Sequence, residues 1–137
     1  MNENLGGLDE VKETEEKVVE IEKKRKPFHY WTVAGRDYKL KLQAGSVERV
    51  ENKYHQNIIN MIDEIPPLSV MLTIIQAAME NWEHNMSYTK IKKLYDTWTE
   101  EDGGDQFSLY TKVIIPTLVV SGFFPAEQVE DIMEEMK

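Results

Sequence analysis

The chain has 137 residues, a formal net charge of −9 and no cysteine. That length predicts one domain with a core large enough to fold without staples, while the missing cysteines exclude disulfides and thiolate metal sites and suit a reducing cytoplasm. The acidity disfavours sequence-independent phosphate binding, no apolar run reaches bilayer length, and the polar N-terminus does not read as a signal peptide.

Residues 1–26 alternate acids and bases through D-E-V-K-E-T-E-E-K-V-V-E-I-E-K-K-R-K, without an aromatic. Leu8, Val11, Val18 and Ile21 hint at a helix face, which Glu15 and Glu22 interrupt. The composition predicts a charged, mobile arm outside the core, with Lys23 to Lys26 as a solvated basic block. Residues 27–137 are expected to form a single helical domain.

Phe28 opens the one convincing β stretch. Tyr38, Leu40 and Leu42 alternate with Lys39 and Lys41, as in a strand with one buried face. Tyr30, Trp31 and Thr32 suit its partner strand, and Ala34-Gly35-Arg36-Asp37 holds the glycine of a tight turn. A lone hairpin is marginal in water, so it is expected to lie on helices or to pair along an open edge with another copy. Homo-oligomers, as rings or filaments, are therefore among the expectations.

Ser46 is the expected N-cap of a short helix with Val47, Val50 and Tyr54 on one face, followed by an apolar patch from Asn57 to Ile62. The stretch from Pro66 to Trp82 then predicts the core helix. Its polar residues Ser69, Thr73, Gln76 and Glu80 fall on one narrow strip, and nearly everything else is apolar. Leu72, Ile75, Met79 and Trp82 are expected to be buried, and Pro67 fits the first turn.

Ser87 is the next expected N-cap, with Ile91, Leu94, Tyr95 and Trp98 at helical spacing behind it. Asp105 caps the following helix. Pro116 lies inside that helix, where it removes a hydrogen bond and crowds the carbonyl of Lys112, so a kink or break is expected. Ser121-Gly122 reads as a stop, and Pro125 opens a last helix. The fold class is therefore mainly α: a small bundle of about five helices with one N-terminal β-hairpin.

No catalytic constellation is legible, and the chain is not expected to be an enzyme or to hold a cofactor or metal. His29, His55 and His84 fall on three different elements without metal-site spacing. The acids around Gly103-Gly104 resemble a calcium loop only in composition. Counted from Asp96, the position needing a bidentate glutamate is Phe107. There is no nucleophile elbow and no phosphate-cradling glycine loop.

The order of features nevertheless resembles a known family. A hairpin reading W-T-V-A-G-R-D-Y-K-L-K-L comes first, then S-V-E-R-V-E-N-K-Y and N-I-I-N-M-I. The proline-led helix P-P-L-S-V-M-L-T-I-I-Q-A-A-M follows, and an acidic glycine loop leads to a helix ending S-G-F-F. From Phe28 onward the chain is similar to the tail assembly chaperones of long-tailed phages and prophages of Gram-positive bacteria. The resemblance implies a protein that coats the tape measure protein, keeps it soluble and recruits tail tube subunits. It further implies action in the bacterial cytoplasm and absence from the finished virion. In such a family this chain would be the short form of a pair made by frameshifting. No catalytic residues are implied.

The expected client surface is the apolar set Phe123, Phe124, Val129, Ile132, Met133 and Met136, rimmed by Glu127, Glu130, Asp131, Glu134 and Glu135. Nucleic acid and membrane are not expected partners. The alternative is a small acidic helical adaptor or inhibitor encoded by a prophage, which would mimic nucleic acid if its acids formed one extended face.

Overall fold

The computed structural model describes residues 26–135. The expected arm, apart from Lys26, and Met136 lie outside the described residues. Strands β1 (His29–Val33) and β2 (Arg36–Leu40) lead into α1 (Ala44–Tyr54), α2 (Ile58–Met61), α3 (Leu68–Met79) and α4 (Tyr88–Glu101). Next, α5 (Gln106–Leu109) runs through a π-helical segment (Tyr110–Ile114) into α6 (Ile115–Val120), and α7 (Ala126–Glu135) follows. The fold is mainly helical with one N-terminal antiparallel hairpin, as the sequence predicts.

The hairpin turns on two residues, because Val33 pairs with Arg36. Ala34 and Gly35 both have positive φ, 50° and 84°. That is the turn whose twist matches the strands it joins. Period-two alternation sends Trp31, Val33, Tyr38 and Leu40 into the core, while Tyr30 and Thr32 face outward. Across the outer face, Thr32 Oγ1 donates to Asp37 Oδ1 at 2.5 Å.

The outer edge of β2 is closed by the end of α3. Lys41 N donates to the Ala78 carbonyl at 3.0 Å. Trp82 Nε1 donates to the Lys41 carbonyl at 3.0 Å, and Lys39 N to Glu83 Oε2 at 3.0 Å. The backbone donors of Lys39 and Lys41 are thereby occupied within the chain.

Helix α3 is the core element. Met71, Leu72, Ile74, Ile75, Ala77, Ala78 and Met79 are all buried, the pattern of a helix covered on most sides. Pro67 is its N-cap. Trp82 departs from expectation: it is half-buried, in the turn beyond the helix end. Its ring lies edge-on to Phe28 at 5.0 Å, and its N–H needs an acceptor, which β2 supplies at the rim of the core.

Ser46 is not the N-cap. Helix α1 begins at Ala44 with Gln43 as its cap, which makes no side-chain capping bond. Ser46 is buried where α1 meets α3, and its Oγ donates to Glu80 Oε2 at 2.5 Å. Glu80 also pairs with Arg49. A buried hydroxyl needs such a partner. The other two expected caps are present: Ser87 Oγ accepts from Lys90 N at 3.2 Å, and Asp105 Oδ1 from Ser108 N at 2.7 Å.

Pro116 acts on the turn before it. With no N–H on Pro116, the Lys112 carbonyl loses its α-helical donor, and the preceding turn is π-helical. His29 Nε2 donates to that carbonyl at 2.8 Å. Burial lowers the His29 pKa, the Lys112 carbonyl raises it in part, and the Lys26 charge lowers it further. The expected kink or break therefore takes the form of a π segment buttressed by β1. At the far end, Gly122 at φ 89° closes α6. Phe123 N donates to Leu118 O at 3.1 Å and Gly122 N to Val119 O at 3.2 Å, the paired bonds of a glycine helix stop.

Candidate functional site

The glycine stop positions a cleft. Ser121 Oγ accepts from Leu42 N at 2.8 Å, tying the end of α6 to the segment between β2 and α1. Beside that tie, a cleft of about 490 Å³ opens between α1 and the turn after α6. Leu42, Ala44, Val47 and Phe123 give it apolar walls, and Glu48 and Glu51 stand on its α1 side. Glu51 is fixed because its Oε2 accepts from Ile58 N at 2.9 Å. Glu48 is exposed. The cleft therefore offers apolar contact beside carboxylates, which fits an apolar segment carrying lysine or arginine.

The expected client residues are dispersed. Phe123 lines the cleft. Phe124 and Ile132 are half-buried and pack against the core. Val129 is 4% exposed and belongs to the core itself. The described side chains therefore do not form one free apolar stripe along α7. Glu127, Glu130, Asp131 and Glu134 are exposed. The Met133 side chain and Met136 lie outside what is described. The α1 wall was missed by the sequence reading, although Val47 and Glu51 share a face at helical spacing. Only the long-range tie between Leu42 and Ser121 makes that face one side of a cleft.

The three histidines stay apart. His29 is committed to Lys112, His55 ends α1 in a left-handed conformation at φ 57°, and His84 is exposed. Among the described residues, no three His, Cys, Asp or Glu side chains are grouped to hold a metal. No helix of the described residues is long and apolar enough to cross a membrane. Compared with protein-family models, curated proteins and solved structures, the chain matches none of them.

Proposed function

We propose that the chain is a tail assembly chaperone of the long-tailed phage class, acting in the cytoplasm of a bacterial host. It holds apolar segments of a tape measure protein in solution and recruits tail tube subunits. The supporting observation is the acid-flanked apolar cleft between α1 and Phe123, which joins one of the expected client residues to a rigid wall. Phe123 is the anchor of the contact and Leu42, Ala44 and Val47 its floor. Glu48 sets encounter rate and salt dependence more than affinity.

The test is co-expression with the tape measure protein encoded beside this chain. Ala44 is exposed at the cleft, so Ala44→Arg fills the cleft without touching the core. Wild type keeps the client soluble, and Ala44→Arg, shown folded by circular dichroism, lets it precipitate. A folded Ala44→Arg that protects the client as well as wild type overturns the assignment of this cleft. A wild-type chain that neither binds nor protects the client overturns the function.

A further inference from the structure

Helix α4 carries charge that its own dipole disfavours. A helix N-terminus favours carboxylates, yet α4 has no acid in its first turn, and Lys90, Lys92 and Lys93 crowd its N-terminal half. Lys92 lies over the Tyr88 ring at 5.4 Å. Lys90 and Lys93 are exposed, and no described side chain forms an ion pair with either. With Arg36 they line a cleft of about 240 Å³ whose apolar floor is Tyr38, Met86 and Leu94. The Arg36 guanidinium lies 4.7 Å from the Tyr38 ring centroid and 3.6 Å from Glu83, so it is held in place. Among the described residues no carboxylate lines this cleft.

The sequence supplies a segment of matching chemistry close by. Seven acids and two bases stand between Asp9 and Glu22. Val18, Val19 and Ile21 are interspersed among them, apolar side chains suited to an apolar floor. The described chain also begins beside the cleft. Phe28 meets Trp82 edge-on at 5.0 Å, and Glu83, the next residue, is the one that holds Arg36. The step from Phe28 back to Glu22 reaches up to about 20 Å when extended. The nearest acids therefore reach Arg36, and those before them reach Lys90 and Lys93.

We propose that the acids between Glu13 and Glu22 of the N-terminal arm dock on Arg36, Lys90 and Lys93 of the same molecule. The basic block from Lys23 to Lys26 is the tether, which the charge of the cleft repels. Tethering favours this occupant over a separate acidic protein. A short linker holds a segment at an effective concentration of about 1 mM or more. Single exposed ion pairs contribute little. A few of them across an apolar floor make a contact too weak to capture a free peptide, yet populated within one chain. The arm closes the cleft at low salt and releases it as salt rises. An acidic partner for this face must first displace the arm.

The inference is independent of the client and its cleft. Its test is zero-length carbodiimide coupling, which joins a carboxylate to an amine where the two are in contact. The sample is an equal mixture of isotopically light and heavy full chain, read by mass spectrometry. At about 0.15 M salt the arm acids couple to Lys90 and Lys93 within one copy, light to light and heavy to heavy. That coupling is in several-fold excess over coupling to Lys53 and Lys112, which are also exposed. At about 1 M salt the excess is lost. Glu13→Lys with Glu16→Lys and Glu20→Lys loses the excess for the acids that remain. Adding Lys90→Glu with Lys93→Glu to that variant restores coupling between 13–20 and 90–93, and circular dichroism confirms each fold. Ala44→Arg couples as wild type does. Arm acids that couple to Lys53 and Lys112 as often as to Lys90 and Lys93 overturn the proposal and leave the cleft open to a separate acidic partner. Coupling that joins light to heavy chains as often as light to light places the acids on another copy and also overturns it. So does a folded combined reversal that fails to restore the contact.

Discussion

Strand β2 has a cleft at each end, and the two differ in sign. At its start, Arg36 and Tyr38 share a cleft with α4; past its end, Leu42 shares one with α1 and the turn after α6. Both have apolar floors, because Tyr38, Leu40 and Leu42 alternate inward along the same stretch. Charge is set by the neighbouring helix: Lys90 and Lys93 on one side, Glu48 and Glu51 on the other. The lesson is that a net charge of −9 does not describe the cleft beside α4. An acidic chain has kept a basic face where the hairpin meets α4.

Four perturbations sharpen that comparison. The largest strikes the core helix that the two clefts do not touch. Leu72 is 2% exposed at the centre of α3, and Leu72→Ala is expected to cost about 2–5 kcal/mol, read in denaturant melts. A loss of only a few tenths would contradict the role given to α3. Gly104→Ala strikes the α4 side alone. Its Cβ would stand 2.3 Å from the Trp98 ring, which itself meets Trp31 edge-on at 5.8 Å. About 1–3 kcal/mol should be lost by overpacking. An unchanged melting temperature would mean that Trp98 moves freely.

The third strikes the opposite end. Ser121→Ala removes the acceptor of Leu42 N and should cost about 1 kcal/mol. It should also weaken client binding. Client binding as strong as in wild type would show that the tie does not shape the cleft. The smallest effect is a pH dependence from His29, which lines neither cleft. Its folded pKa lies below the ordinary 6.5, so the unfolded chain takes up the proton first. The contribution is complete above pH 6.5 and is lost as pH falls through the lowered folded value. His29→Ala should remove that part of the acid sensitivity in melts run across the window. A variant that keeps the wild-type profile would place the titration elsewhere.

Local signals carried most of the fold. The alternation around Tyr38, the two-residue turn at Gly35, the apolar wrap of α3 and the caps Ser87 and Asp105 each follow from a few adjacent residues. What escaped the sequence depends on distant pairings. Ser46 looked like a cap because serine after glycine opens many helices, yet its hydroxyl serves Glu80 from inside α1. Trp82 continued the period of α3, but the helix ends at Met79 and the indole finds Lys41. Pro116 announced a disturbance without saying that His29, far away in the chain, would hold the freed carbonyl. Of the candidate site, Phe123 alone was legible. Val129 has the same spacing whether it faces a client or the core, and only the packing of α7 decides between them.

The most direct test of the account is hydrogen exchange, read by mass spectrometry, on the chain alone and bound to a soluble segment of the tape measure protein. The account predicts slowed exchange across 42–54 and 121–125, the two walls of the acid-flanked cleft, with 88–97 unchanged. Protection confined to 88–97 or to the hairpin, with the walls exchanging as in the free chain, would contradict it.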